Sequence, residues 1–199
     1  MKKIELVSDF SCPFCFRQHL AFQKLKDKNI SFNLVPIPHM LRAETPMDGK
    51  EFSSEDVKKY TLQLKKLESS DSLFQEVSFA PLTHTYNTYT AHILALGAYE
   101  QGKYLPFALE VYRAYFERGE NIAKMEILTP ILEKLELNPT QTMNMVSADT
   151  MRGSIHRGFE LKKKFEFSTI PAMYIEEKNI LIPQSTSEAE LEKLLEIER

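Results

Sequence analysis

Ile4-Glu5-Leu6-Val7-Ser8-Asp9-Phe10-Ser11-Cys12-Pro13-Phe14-Cys15 decides the reading of this chain. Ile4, Leu6 and Val7 form an apolar run that reads as a first strand. The run leads into the two cysteines of the sequence, separated only by Pro13 and Phe14. A strand handing over to a helix at such a pair is the layout of a dithiol redox site. Cys12 suits the N-cap and Pro13 the first helical position, where a missing N–H costs nothing. The Cys12 sulfur then lies at the positive end of the helix dipole, among unpaired backbone N–H groups. Both favour thiolate, the form that attacks a disulfide. Cys15, one turn on, can reach back to that sulfur. The competing readings are a zinc half-site and two unrelated buried cysteines. Zinc usually takes four ligands from paired clusters, and the sequence carries no second cluster.

The rest of the composition sets bounds. The 199 residues are 43% apolar and 27% charged, an ordinary soluble make-up that can bury one sizeable core. Net charge is −3, which suggests neither a nucleic-acid nor an anionic-membrane partner. The five histidines are scattered, so no metal site is expected. No stretch approaches the ~20 apolar residues of a membrane span. Met1-Lys2-Lys3 is followed by no secretory apolar core, because Glu5 and Asp9 interrupt the run. If Met1 is the native start, a cytoplasmic location is expected. A pair that cycles is then expected rather than a permanent disulfide. A chain whose signal segment had been removed would begin in the same way.

Working outward, residues 2–8 read as a buried strand and 13–28 as a helix, with Phe16/Leu20 and Ala21/Leu25 at i,i+4 spacing. Ser31 to Ile37 reads as a second strand, so a parallel βαβ unit is expected. Residues 53–163 read as a helical block of five to six helices with little strand signal. Ser53 with Asp56 marks a helix start, and Gly102 and Gly119 mark helix ends. Thr129-Pro130 and Asn138-Pro139 each set a capping residue before a proline. Strand signal returns in Ala172–Ile175 and Ile180–Ile182 around the polar turn 176–179. Ser187 to Glu190 is a capping box opening a last helix with Leu191, Leu194 and Leu195 inward. The expected fold class is α/β: one domain over 1–199, with a mixed sheet and a large all-helical insertion.

The second chemical element is Ser168-Thr169-Ile170-Pro171, which leads into the terminal hairpin. Proline is tolerated at a strand's start, where no ladder donor is needed. With Ser8-Asp9-Phe10-Ser11-Cys12-Pro13-Phe14-Cys15, Asn87-Thr88-Tyr89-Thr90-Ala91-His92, Ala114 to Ile122 and Thr169-Ile170-Pro171-Ala172, the chain resembles the thioredoxin superfamily. More closely it is similar to the DsbA-like branch containing FrnE-type oxidoreductases and hydroxychromene-carboxylate isomerases. The resemblance implies a thioredoxin-like fold and a cis Pro171 packed against the cysteine pair. It implies catalytic Cys12 and Cys15, with Pro13, Phe14, Ile170 and Pro171 at the substrate. The Ile170 backbone would dock an extended substrate strand. The implied activity is thiol–disulfide exchange with disulfide- or thiol-bearing proteins or small molecules. No bound cofactor is implied, and glutathione is a candidate redox partner.

Two other functions remain in view: a glutathione-dependent isomerase or transferase on the same fold, and a redox-sensing or partner-binding module. Relatives of the isomerase kind carry serine where Cys12 stands. Phe14 departs from the histidine of the strongly oxidising DsbA type, which removes an imidazolium beside the thiolate. Residues 178–184 lack the glycine-led turn common in relatives.

Four auxiliary residues have alternative readings. His19 could lend charge to the thiolate or bind a ligand, or be a partly buried helix histidine. Asp9 could shuttle a proton for Cys15 or act as a turn or cap residue. Asn87 and His92 could line a substrate pocket or be a helix cap and a core histidine. The aromatic residues of the helical block read as helix–helix packing, and Lys162-Lys163-Lys164 as a solvated face.

Overall fold

The computed structural model describes residues 2–195. Strand β1 (Lys2–Ser8) alternates so that Ile4 and Leu6 face one hydrophobic cluster and Val7 the other. Glu5 is buried on the Val7 side. There it accepts from Arg157, with Nη2 at 2.8 Å and Nε at 2.9 Å. Helix α1 (Pro13–Asp27) follows and buries Cys15, Phe16, His19, Phe22 and Leu25. Strand β2 (Phe32–Pro38) then pairs parallel to β1 from Lys2↔Phe32 to Ser8↔Pro38. The expected βαβ unit is therefore present.

Between this unit and the terminal hairpin lie helices α2 (Ser54–Ser70), α3 (Tyr89–Glu100), α4 (Tyr104–Phe116), α5 (Met125–Lys134), α6 (Pro139–Asn144) and α7 (Ala148–Phe165). Strand β5 (Ala172–Ile175) pairs antiparallel to β1, and β6 (Ile180–Ile182) antiparallel to β5. In the numbering that counts two short intervening strands, the sheet order is β2-β1-β5-β6. Helix α8 (Glu188–Leu195) closes the described chain. Ser187 and Glu190 cap it reciprocally, Glu190 N donating to Ser187 Oγ at 3.3 Å and Ser187 N to Glu190 Oε2 at 3.0 Å. Leu191 and Leu195 are buried and Leu194 is half-buried.

One continuous cluster joins Ile4 and Leu6 of β1 to Phe16 and Phe22 of α1 and to Phe107 and Tyr112 of α4. A second cluster, with Val7, Ile37, Leu161, Phe167, Ala172 and Tyr174, lies under α7 on the opposite sheet face. The mixed α/β class with its helical insertion is therefore the observed one. Of the block's aromatics, Phe74, Phe107, Tyr112, Tyr115 and Phe116 are buried, whereas Tyr89 is exposed.

Two local expectations change. Thr129-Pro130 does not start a helix. Pro130 lies inside α5, which begins after Lys124, whose carbonyl accepts from Ile127 and Leu128. Burial of Leu128, Ile131 and Leu132 outweighs the donor that Pro130 lacks. The short strands β3 (Lys50–Glu51) and β4 (His84–Thr85) pair antiparallel, β4 within the block read as helical; two residues are too few to show alternation. The glycine missing from the terminal hairpin is replaced by Asn179, in the left-handed region at φ +49°.

Gly97 on α3 lies against α6. A Cβ there would stand 2.2 Å from the Thr142 carbonyl oxygen. Alanine in a helix interior normally gains about 1 kcal/mol over glycine. Here backbone overlap reverses the sign, and Gly97→Ala is expected to destabilise by about 1–3 kcal/mol. Urea unfolding checks this, and a variant as stable as the parent would show that α6 yields freely.

Candidate active site

The β1–α1 junction is built by backbone bonds. Asp9 O accepts from Cys12 N at 3.2 Å, and Cys12 O accepts from Cys15 N and Phe16 N, each at 3.1 Å. Cys12 is the N-cap, with extended φ −102° and ψ 116°, and Pro13 opens the helix. No side chain caps this end of α1, so the Cys12 sulfur sits where the first N–H groups are open. Phe14 is turned outward at 48% exposure, beside a Cys12 at 6% and a Cys15 at 0%.

Across the sheet, the Ile170–Pro171 peptide is cis. Cys12 Sγ lies 3.8 Å from Ile170 O, close enough for its thiol to donate there. Residues 158 apart in sequence thus meet at one sulfur. Both cysteines are free thiols. A hydrogen bond from the Cys15 thiol holds the Cys12 pKa below its usual value. The Cys15 and Phe14 N–H groups assist, against burial and the Asp9 charge. Burial, and then the neighbouring Cys12 sulfur, push Cys15 well up. One helix turn thus carries a polarised pair, a thiolate-prone outer sulfur and a proton-holding inner one.

Asp9 lies behind the pair at 1% exposure. Its carboxylate accepts from Leu41 N at 2.6 Å, Ser11 N at 3.1 Å and Ser11 Oγ at 3.2 Å. Burial alone would raise its pKa, but His92 and these N–H groups hold it below the ordinary carboxylate value. Asp9 therefore fastens the loop after β2 to the start of α1 as well as placing charge near both sulfurs.

His19 is fully buried, not partly. Its Nδ1–H donates to Cys15 O at 2.7 Å, and Nε2 accepts from the Tyr104 hydroxyl at 2.8 Å. Burial holds its pKa down to about 4, so the ring is neutral at neutral pH and lends no charge to the thiolate. Asn87 bridges two segments. Its Oδ1 accepts from Tyr89 N at 2.8 Å, and its Nδ2 donates to Thr45 O at 2.8 Å. This pins the loop after β2 to the start of α3. His92, on α3, sits 3.8 Å from Asp9 Oδ1 and 4.9 Å, centre to centre, from the Phe10 ring.

The structure thus brings Asp9, Cys12, Cys15, His92 and Ile170 together, with Asn87 one loop away. Sequence reading missed the Leu41 N–H, Tyr104 and the Tyr112 hydroxyl, which donates to Asp9 O at 3.2 Å. A backbone donor and two aromatics in a helical block leave no sequence signal that separates them from ordinary packing. Among the described residues, no group of three or more His, Cys, Asp or Glu side chains could hold a metal ion. No helix there is long and apolar enough to cross a membrane.

Comparison with known proteins agrees on the family. The DSBA-like thioredoxin domain matches residues 3–196. The uncharacterized protein YwbO of Bacillus subtilis is 23% identical over 202 residues, covering 98% of this chain and 96% of that protein. The "probable DsbA oxidoreductase SCO1869" of Streptomyces coelicolor superposes with TM-score 0.73 at 14% identity, covering 98% of this chain and 88% of that one. The cytosolic disulfide reductase DsbM of Pseudomonas aeruginosa, solved with GSH, superposes with TM-score 0.72 at 13% identity, covering 98% and 100%.

Proposed function

Because the chain belongs to the DSBA-like thioredoxin domain family, we propose that it is a thiol–disulfide oxidoreductase working through Cys12 and Cys15. The observation that carries this reading is the oppositely shifted cysteine pair at the start of α1, with Cys12 Sγ against Ile170 O. The Cys12 thiolate attacks a substrate disulfide; a Cys12–substrate bond forms and the other substrate sulfur leaves as thiolate. Cys15 then gives up its proton, with Asp9 as acceptor, and attacks Cys12 Sγ. The second substrate sulfur leaves with the bonding electron pair, and a Cys12–Cys15 disulfide remains. An external thiol runs the same steps backward, and the relative potentials set the direction.

Substrates dock along the Ile170 edge, beside the outward Pro13-Phe14 face. We take glutathione as the donor and a reducing compartment as the setting. Support comes from the DsbM likeness and from Phe14, which leaves no imidazolium to drive the potential strongly oxidising.

Cys15→Ser tests the assignment. Mixed with glutathione disulfide, it should accumulate a stable glutathione adduct on Cys12, visible by mass spectrometry, whereas the parent passes on to its internal disulfide. Absence of any Cys12 adduct would sink the reading.

A further inference from the structure

Strand β5 begins at Ala172, and Val7 of β1 lies opposite that residue. The docking segment Thr169-Ile170-Pro171 therefore sits just outside the sheet ladder, and strand pairing alone does not set its distance from α1. A side chain ties it down. Thr169 Oγ1 donates to Pro183 O at 2.7 Å, which joins the segment to the connection between β6 and α8. That connection is in turn held on α1. Arg17 Nη1 donates to Ser185 Oγ at 2.9 Å and to Thr186 O at 3.1 Å. Gln18 Oε1, on a fully buried side chain, accepts from Thr186 N at 2.7 Å. Arg17 Nε donates to Asp71 Oδ2, while Asp71 Oδ1 accepts from Leu73 N at 3.0 Å.

We propose that Arg17 and Thr169 are positioning residues that hold the Ile170 edge at the spacing an extended peptide disulfide needs. They thereby set a preference for peptide over small-molecule disulfides. The proposal rests on the exchange reading above. A planar guanidinium suits the task, because its fixed fork of donors can meet a carboxylate and two loop acceptors at once. The Arg17 and Asp71 side chains are each only 18% exposed, so the clamp is partly shielded from water. The exchange steps use neither Arg17 nor Thr169.

The two residues act through one link, the 183–186 connection, and the edge it steadies serves backbone pairing. A small disulfide has no backbone to lay along Ile170 and reaches Cys12 without it. Loosening the link therefore penalises the peptide and spares the small molecule.

The test is single-turnover oxidation of the reduced protein, quenched in acid and counted by mass spectrometry across substrate concentration. One substrate is a short uncharged peptide whose single cysteine is disulfide-bonded to 2-mercaptoethanol. The other is the disulfide of 2-mercaptoethanol alone. Each turnover reduces one substrate disulfide to two thiols and leaves one Cys12–Cys15 disulfide. Arg17→Met should lower the peptide-to-small-disulfide ratio of rate constants about fivefold, through a raised half-saturating peptide concentration rather than a lower limiting rate. Thr169→Val, which leaves the Arg17–Asp71 pair in place, should lower the ratio in the same way. Thr169→Ser keeps the hydroxyl donor and should recover the parent ratio. The double variant Arg17→Met/Thr169→Val should lose no more than either single change. If Arg17→Met does not fold, Thr169→Val and its serine rescue carry the test.

An unchanged ratio in Thr169→Val, equal slowing with both substrates, or losses that multiply in the double variant would overturn the proposal. A reduced parent that forms neither a Cys12 adduct nor an internal disulfide with either substrate would remove the exchange reading and this inference together. Parent turnover with an unchanged ratio in the variants removes this inference alone.

Discussion

Cys12→Ser is expected to leave no catalysed reduction of insulin disulfides, only the background rate of the added dithiol. The reason is the asymmetry of the pair. Cys12 has the N-cap position, the open N–H groups of α1 and a lowered pKa. Cys15 has none of these. It is fully buried and its pKa is pushed well up, so it presents neither a thiolate nor an accessible sulfur to a substrate. Serine at position 12 keeps the cap geometry but supplies no thiolate. The fold should therefore survive, and the measurement is turbidity from precipitating insulin chains alongside an unchanged melting curve. Residual catalysis near the parent's rate would show that the chemistry lies elsewhere.

The second large effect concerns stability. Phe16 follows Cys15 and is fully buried. Its ring lies 5.2 Å from Tyr112 and 5.9 Å from Phe116, stacked on both, and 5.8 Å from Phe74, which is tilted against it. It thus ties α1 to α4 and to the 3-10 turn at Ser72–Phe74. Phe16→Ala should cost about 3–5 kcal/mol, from lost burial plus a cavity that rigid neighbouring rings cannot fill. For a chain of this length that lowers Tm on the order of 10 °C. Calorimetry or urea unfolding reads it directly. A cost below ~1 kcal/mol would mean that the aromatic cluster repacks.

Much of this was legible in the residues. The β1–α1–β2 unit follows from alternation, then a 3.6-residue period, then alternation again. Ser53, Asn138 and Ser187 cap helices because their side-chain oxygens accept from the N–H three residues on. Where the sequence misled, a non-local force prevailed. Pro130 sits inside α5 because three buried aliphatics outweigh one missing backbone bond. His19 sits deeper than its helix position suggested because Tyr104, 85 residues away, supplies a buried partner for its second nitrogen.

The site divides in the same way. Cys12-Pro13-Phe14-Cys15 and its place at a strand–helix junction are local properties, set by proline's fixed φ and the open N–H groups of a helix start. The sequence by itself therefore determined the cysteine pair on which the proposed chemistry rests and the class of fold. It could not decide what surrounds them. Ile170 O at the Cys12 sulfur, Leu41 N–H on Asp9 and His92 beside it come from β5's antiparallel pairing with β1, a loop tied down by Asn87, and α3. Those contacts join residues 32 to 158 apart. Only burial of a shared core brings them together, and that same burial is the largest cause holding the proton on Cys15.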